Sequence, residues 1–182
     1  MNVVGISGLP GSGKSLVSKI AKKRSNIVIN MGDLVRKEAK KRNTDVGETA
    51  INLRKEQGEY VLAKLTIEKI KNESLKLKDS KNSIFLIEGI RSQFEVKMFK
   101  ENFKDFILIS IFSSPSTRFD RLKNRKRDDD SEEYENFLKR DQRELNFGIG
   151  NVIASSDFII INENGLDEYK NQIEDLFDNI IN

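Results

Sequence analysis

Gly8-Leu9-Pro10-Gly11-Ser12-Gly13-Lys14-Ser15 fits the spacing of a glycine, four residues, a second glycine, a lysine and then a serine or threonine. What flanks this stretch decides the fold. Met1 to Ser7, with Val3, Val4 and Ile6, is a short apolar run that predicts a buried parallel strand leading into the loop. Beyond the loop, Leu16, Val17, Ile20 and Ala21 fall on one side of a helical pattern, and Lys19, Lys22 and Lys23 on the other. Strand, loop and helix in that order form the setting of a phosphate-binding loop. Gly8, Gly11 and Gly13, with Leu9, Pro10 and Ser12 between them, let successive backbone amides converge on phosphate oxygens. The helix that follows turns its positive end the same way. Lys14 would reach the β and γ phosphates, and the Ser15 hydroxyl would ligate Mg²⁺. The stretch therefore implies a nucleoside triphosphate with Mg²⁺.

Outward from the loop, apolar runs alternate with helical patterns. Asn26 to Asn30 predicts a second strand, after which Gly32 and Asp33 open a helix through Ala39. Val46 to Leu77 reads as helical, with Val46, Ala50, Leu53, Val61, Leu65 and Ile70 inward and a break near Gly58. Leu75 to Ser83 is lysine-rich and reads as an exposed connection. Ile84 to Ile87 is the third strand, ended by Glu88 and Gly89. A carboxylate at the tip of a buried strand is costly unless used, which makes Glu88 a functional candidate. Phe94, Met98, Phe99 and Phe103 recur at helical spacing and read as core. Phe106 to Phe112 is the fourth strand. Pro115 then precedes a basic helix carrying Arg118, Arg121, Lys123, Arg125, Lys126 and Arg127, interrupted by Asp128, Asp129 and Asp130. A charged helix from Glu132 to Leu145 follows, then a fifth strand, Phe158 to Ile161. A last helix carries an apolar stripe of Leu166, Tyr169, Ile173, Leu176, Phe177 and Ile180.

This alternation predicts an α/β fold in three layers, a five-stranded parallel sheet with helices on both faces. The 182 residues suit a single domain, with a helical insertion at about 32–80 for an acceptor and a short lid at about 125–133. Hydrophobic residues make up 37% and charged residues 34%, and no apolar run approaches a membrane span, so no membrane partner and a cytoplasmic location are expected. The N-terminal apolar stretch is taken up by the loop, not by a signal peptide. The absence of cysteine excludes disulfides, thiolate nucleophiles and zinc–thiolate sites, and the absence of histidine removes the usual general base. Phosphoryl transfer tolerates that loss, because it rests on positioning and on charge neutralisation by Mg²⁺, Lys and Arg. The net charge of +3 suits a small anion as well as a nucleic acid.

With these motifs on view, the chain resembles P-loop kinases of the adenylate kinase and dephospho-CoA kinase type, and more closely a group of archaeal proteins related to them. Gly8 to Lys14 is similar to the adenylate kinase loop. Gly32-Asp33-Leu34-Val35-Arg36 resembles the segment that places an arginine on the acceptor phosphate and an aspartate near the Mg²⁺ waters. Glu88-Gly89-Ile90-Arg91 resembles a segment whose arginine also holds that phosphate. Arg121 and Arg125 resemble a pair that packs on adenine and touches ATP phosphates, and Arg127, Asp129, Asp130 and Arg140 resemble the rim of a mobile lid. Ala154 to Asn162 is closer to dephospho-CoA kinases. The glutamine that reads AMP in adenylate kinases has no clear equivalent, with Glu95 at that offset.

The resemblance implies an ATP- and Mg²⁺-dependent kinase. Lys14 and the loop would hold the phosphates, Ser15 would bind Mg²⁺, and Asp33 and Glu88 would orient its waters. Arg36 and Arg91 would hold the acceptor, and Arg125, Arg127 and Arg140 would close over the transferring group. The acceptor is expected to be a small phosphorylated molecule, a nucleoside monophosphate or dephospho-CoA, and for a hydroxyl acceptor Asp33 would be the base. The alternative is a nucleotide-gated ATPase module whose basic helix meets an RNA or protein partner. Only Phe119 interleaves with those cations, which weakens a stacking surface for single strands.

Overall fold

The computed structural model describes residues 2–77, 83–125 and 133–181. The strands are β1 (Asn2–Ser7), β2 (Ile27–Asn30), β3 (Ile84–Ile90), β4 (Ile107–Phe112) and β5 (Phe158–Ile161). Between and after them come α1 (Lys14–Lys23), α2 (Met31–Arg42), α3 (Val46–Gln57), α4 (Val61–Ser74), α5 (Gln93–Asn102), α6 (Pro115–Arg125), α7 (Tyr134–Asn146), α8 (Ile149–Ala154) and α9 (Leu166–Leu176). A π-helical turn, Phe177–Ile181, continues the last helix.

All the strand pairs are parallel, in the order β2-β3-β1-β4-β5. The central strands are apolar on both faces because helices cover both faces. Alternate residues divide between two cores. Val3, Phe85, Ile87 and Leu108 join the side covered by α2 to α5 and α8. Val4, Ile6, Leu86, Ile109 and Ile111 join the side covered by α1 and α9. In open parallel sheets ligands bind beyond the carboxyl ends of the strands. Here those ends deliver Gly8, Arg91, Ser113 and Asn162 to one edge of the molecule.

Several boundaries and faces depart from the pattern read in the sequence. The third strand does not stop before Glu88. It runs on to Ile90, with Glu88 in register with Ile6 and Asn30, because its neighbours keep supplying backbone partners. The long helical stretch breaks at Gly58 as expected, but Leu65 is 40% exposed. Phe94 is 45% exposed and rests edge-on against Tyr60, while Phe99 and Phe103 are buried. Leu166, 60% exposed, lies outside the stripe that Tyr169, Ile173, Leu176 and Phe177 bury. These three residues sit at the rims of faces whose centres the periodicity located correctly. The acidic run Asp128 to Asp130 and residues 78–82 of the lysine-rich connection lie outside the described residues. Among the described residues no helix is long and apolar enough to cross a membrane.

Candidate active site

The loop after β1 is held from behind. The carbonyl of Ser12 accepts from Asn162 Nδ2 at 2.8 Å and from Ser113 Oγ at 3.3 Å, both at the ends of neighbouring strands. The carbonyl of Gly13 accepts from the Tyr169 hydroxyl at 3.1 Å. In a planar trans peptide the N–H points opposite to the C=O, so the amides of Gly13 and Lys14 face the cleft. Gly13 has φ of 106°, and a Cβ there would stand 2.3 Å from Asn162 Nδ2. Only glycine fits that close approach. Lys14 Nζ donates to the carbonyls of Gly8 and Leu9 at 2.6 and 2.9 Å. Burial lowers its pKa from 10.5 to about 8; Arg91 and Arg125 push the same way, while Glu88 and Glu144 oppose them.

A cleft of about 440 Å³ opens in front of this loop. It lies within the size range of small-molecule sites. Gly8, Pro10, Gly11, Gly13, Lys14 and Ser15 line it, as do Arg36, Glu88, Arg91, Arg121, Arg125 and Arg140. The structure thus brings together most of the residues singled out in the sequence. Leu9 contributes a carbonyl to Lys14, and Ser12 is buried beneath the loop. Arg127 lies outside the described residues.

A smaller adjoining cavity contains Ser15, Ser18, Asp33, Arg36 and Glu88. The Ser18 hydroxyl donates to Glu88 Oε2. Hydroxyl and carboxylate oxygens, as on Ser15, Asp33 and Glu88, are hard donors of the kind that suit Mg²⁺, and Lys19, Lys22 and Arg36 share the cavity with them. Arg36 is already engaged, its Nη2 lying 2.5 Å from Asp33 Oδ1 one helical turn away. Arg91 faces Glu144, with Nε 3.1 Å from Oε2. Arg121 donates to Ser113 Oγ at 2.9 Å and to the Asn162 carbonyl at 3.1 Å.

Two residues change meaning in three dimensions. Arg118, one cation of the basic helix, is 1% exposed; it pairs through both terminal nitrogens with Asp141 and also reaches the Pro10 carbonyl at 3.3 Å. Glu95, at the offset of a base-reading glutamine, is also fully buried. Its carboxylate accepts from the amides of Arg91 and Ser92 in a capping box and pairs with Arg54 at 2.8 Å. It holds α3 against α5 and cannot read a base.

On α7 the sequence reading found Arg140 but missed its neighbours on the cleft-facing side. Asn136, Lys139, Arg143 and Glu144 line the cleft beside it. Their three- and four-residue spacing was the available signal. Arg143 lies flat against Gly47 at the start of α3, where a Cβ would stand 2.2 Å from Nη1.

Residues 7–136 match the family model of an AAA domain. A UPF0200 protein of Methanothermobacter thermautotrophicus is 48% identical, over 97% of this chain and 89% of its own length. Among solved structures, a shikimate kinase from Bacteroides thetaiotaomicron is similar with a TM-score of 0.59 at 14% identity, over 97% of this chain and 96% of that one. A shikimate kinase from Acinetobacter baumannii in complex with shikimate gives 0.58 at 13% identity, over 100% and 95%. At such identity the likeness shows the fold, that of P-loop kinases.

Proposed function

The chain belongs to the UPF0200 family, and we propose that it is an ATP- and Mg²⁺-dependent phosphotransferase acting on a small phosphorylated acceptor of the nucleoside monophosphate or dephospho-CoA kind. One observation carries this reading. The phosphate loop with Lys14 and the arginines Arg36 and Arg91 line the same cleft, so a triphosphate and a second anion can meet there. The shikimate kinases with this fold are kinases by name, which supports the reaction class.

The γ-phosphoryl group leaves the β-phosphate oxygen and bonds to the acceptor oxygen, releasing ADP. Amides of the loop and Lys14 hold the β and γ oxygens, and bound Mg²⁺ would neutralise charge that develops between them. Arg36 and Arg91 trade part of their carboxylate pairing for the acceptor's anionic group. Arg121, braced by Ser113 and Asn162, and Arg125 and Arg140 cover the nucleotide phosphates. Exclusion of water follows from that cover. A phosphate acceptor needs no general base. For a hydroxyl acceptor the base falls to Glu88, which lines both cavities, whereas Asp33 lines only the smaller one.

The test separates the two ligands. Arg91→Ala should raise the acceptor KM by about tenfold or more while leaving the ATP KM within about twofold. Equal losses for both would contradict the assignment.

A further inference from the structure

Glu144 is a carboxylate that the transfer chemistry above leaves unused. It is 2% exposed, yet it lines the cleft, so the little surface it has is turned toward whatever enters there. Its Oε2 has no hydrogen-bond donor among the described residues. Arg91 Nε lies 3.1 Å away but off the line that a hydrogen bond needs, so the charge is balanced while the lone pair stays unserved. Buried acceptors in folded proteins are almost always satisfied, and one that is not calls for a donor from outside.

The surroundings restrict that donor. Cationic side chains outnumber carboxylates in the cleft lining, and Arg91 stands beside Glu144. An ammonium would be repelled there, whereas the hydroxyl of an anionic molecule would not. The ion pair also fixes the spacing, because a ligand whose anionic group sits on Arg91 is within a few bonds of Oε2. Consecutive residues of a helix point about 100° apart, so Arg143 turns to α3 while Glu144 turns to the tip of β3.

We infer that Glu144 accepts a hydrogen bond from a hydroxyl of the acceptor, and that the acceptor is an anionic polyol with this hydroxyl beside the group held by Arg91. The inference rests on the phosphotransferase reading and narrows its acceptor. Glu144 is then a specificity-determining residue. A site built to bond a hydroxyl discriminates strongly against the analogue that lacks it.

The experiment is phosphoryl transfer from ATP to AMP, CMP, GMP, UMP and dephospho-CoA, each beside the deoxy counterparts that keep the accepting oxygen (2′- and 3′-deoxy for the monophosphates, 2′-deoxy for dephospho-CoA), with wild type, Glu144→Gln and Glu144→Ala. Wild type should favour the hydroxylated acceptor over one deoxy form by about 100-fold or more in kcat/KM. In Glu144→Ala that ratio should fall to within about fivefold, with an intermediate ratio in the isosteric Glu144→Gln and an unchanged ATP KM. The Gln variant preserves the shape of the site should the Ala variant fold poorly. Transfer by wild type with no deoxy discrimination, or a ratio that the variants leave unchanged, would overturn the inference alone. No transfer to any of these acceptors would overturn it together with the proposed function.

Discussion

Arg118 on α6 and Asp141 on α7 are joined by two parallel hydrogen bonds beneath the phosphate loop, and the same guanidinium reaches the Pro10 carbonyl. The pair ties α6 and α7 to the loop that would grip the phosphates. Removing one member leaves the other buried and uncompensated, which costs about 3–5 kcal/mol. Arg118→Met should therefore lower the urea midpoint sharply and weaken ATP binding with it. The double variant Arg118→Met with Asp141→Leu should recover most of the stability, and equilibrium denaturation of the three variants checks this.

Lys14 supplies a pH test. With its pKa lowered to about 8, the folded chain binds fewer protons at Lys14 than the unfolded chain between about pH 8 and 10.5. This burial therefore costs stability in full below about pH 8, and the cost is relieved as the pH rises through that window. ATP phosphates reverse the balance by favouring the charged amine. Near pH 8.5, ATP binding should take up roughly half a proton or more. Calorimetry in two buffers of different ionisation enthalpy measures the uptake, which should vanish in Lys14→Met.

Gly47 and Arg143 form a contact too tight for any side chain. Because the colliding atoms are the far end of a flexible arginine, Gly47→Ala should displace Arg143 without unfolding α3. The stability should hold or rise by up to about 1 kcal/mol, as for other helical Gly→Ala changes. Because Arg143 lines the same cleft as Arg36 and Arg91, displacing it should raise the acceptor KM about tenfold; Arg143→Ala should do the same, and the double variant should be no worse than either alone. Additive losses would mean that the two residues act separately.

The buried pair of Glu95 and Arg54 is structural. Glu95→Gln should destabilise the fold by about 3 kcal/mol, since buried Arg54 loses its 2.8 Å partner and keeps only the half-exposed Glu59 at 3.9 Å. The ranking of acceptors by their bases should not change, and a substrate panel run on the variant decides this.

How much was legible follows from which forces act locally. The loop Gly8 to Ser15 could be read because phosphate binding dictates both its residue types and their spacing. The sheet was legible because each strand is an apolar run. Arg118 was not, since its partner Asp141 is 23 residues away on another helix, and a surface lysine-and-arginine helix looks the same in one dimension. Helix α8 was missed because it has only six residues with Gly150 among them. Leu65, Phe94 and Leu166 show that periodicity finds the centre of a buried face but not its edge. Glu144 stood out only once its unpaired oxygen and its place in the cleft could be seen together.

The central claim is transfer to an acceptor rather than hydrolysis alone. Labelled ATP with Mg²⁺, offered to a panel of nucleoside monophosphates and dephospho-CoA, tests it most directly, with Lys14→Ala as the blank. The account predicts a labelled product from one acceptor class that disappears in the variant. Slow release of labelled phosphate with no acceptor labelled would contradict it and point to a nucleotide-gated module.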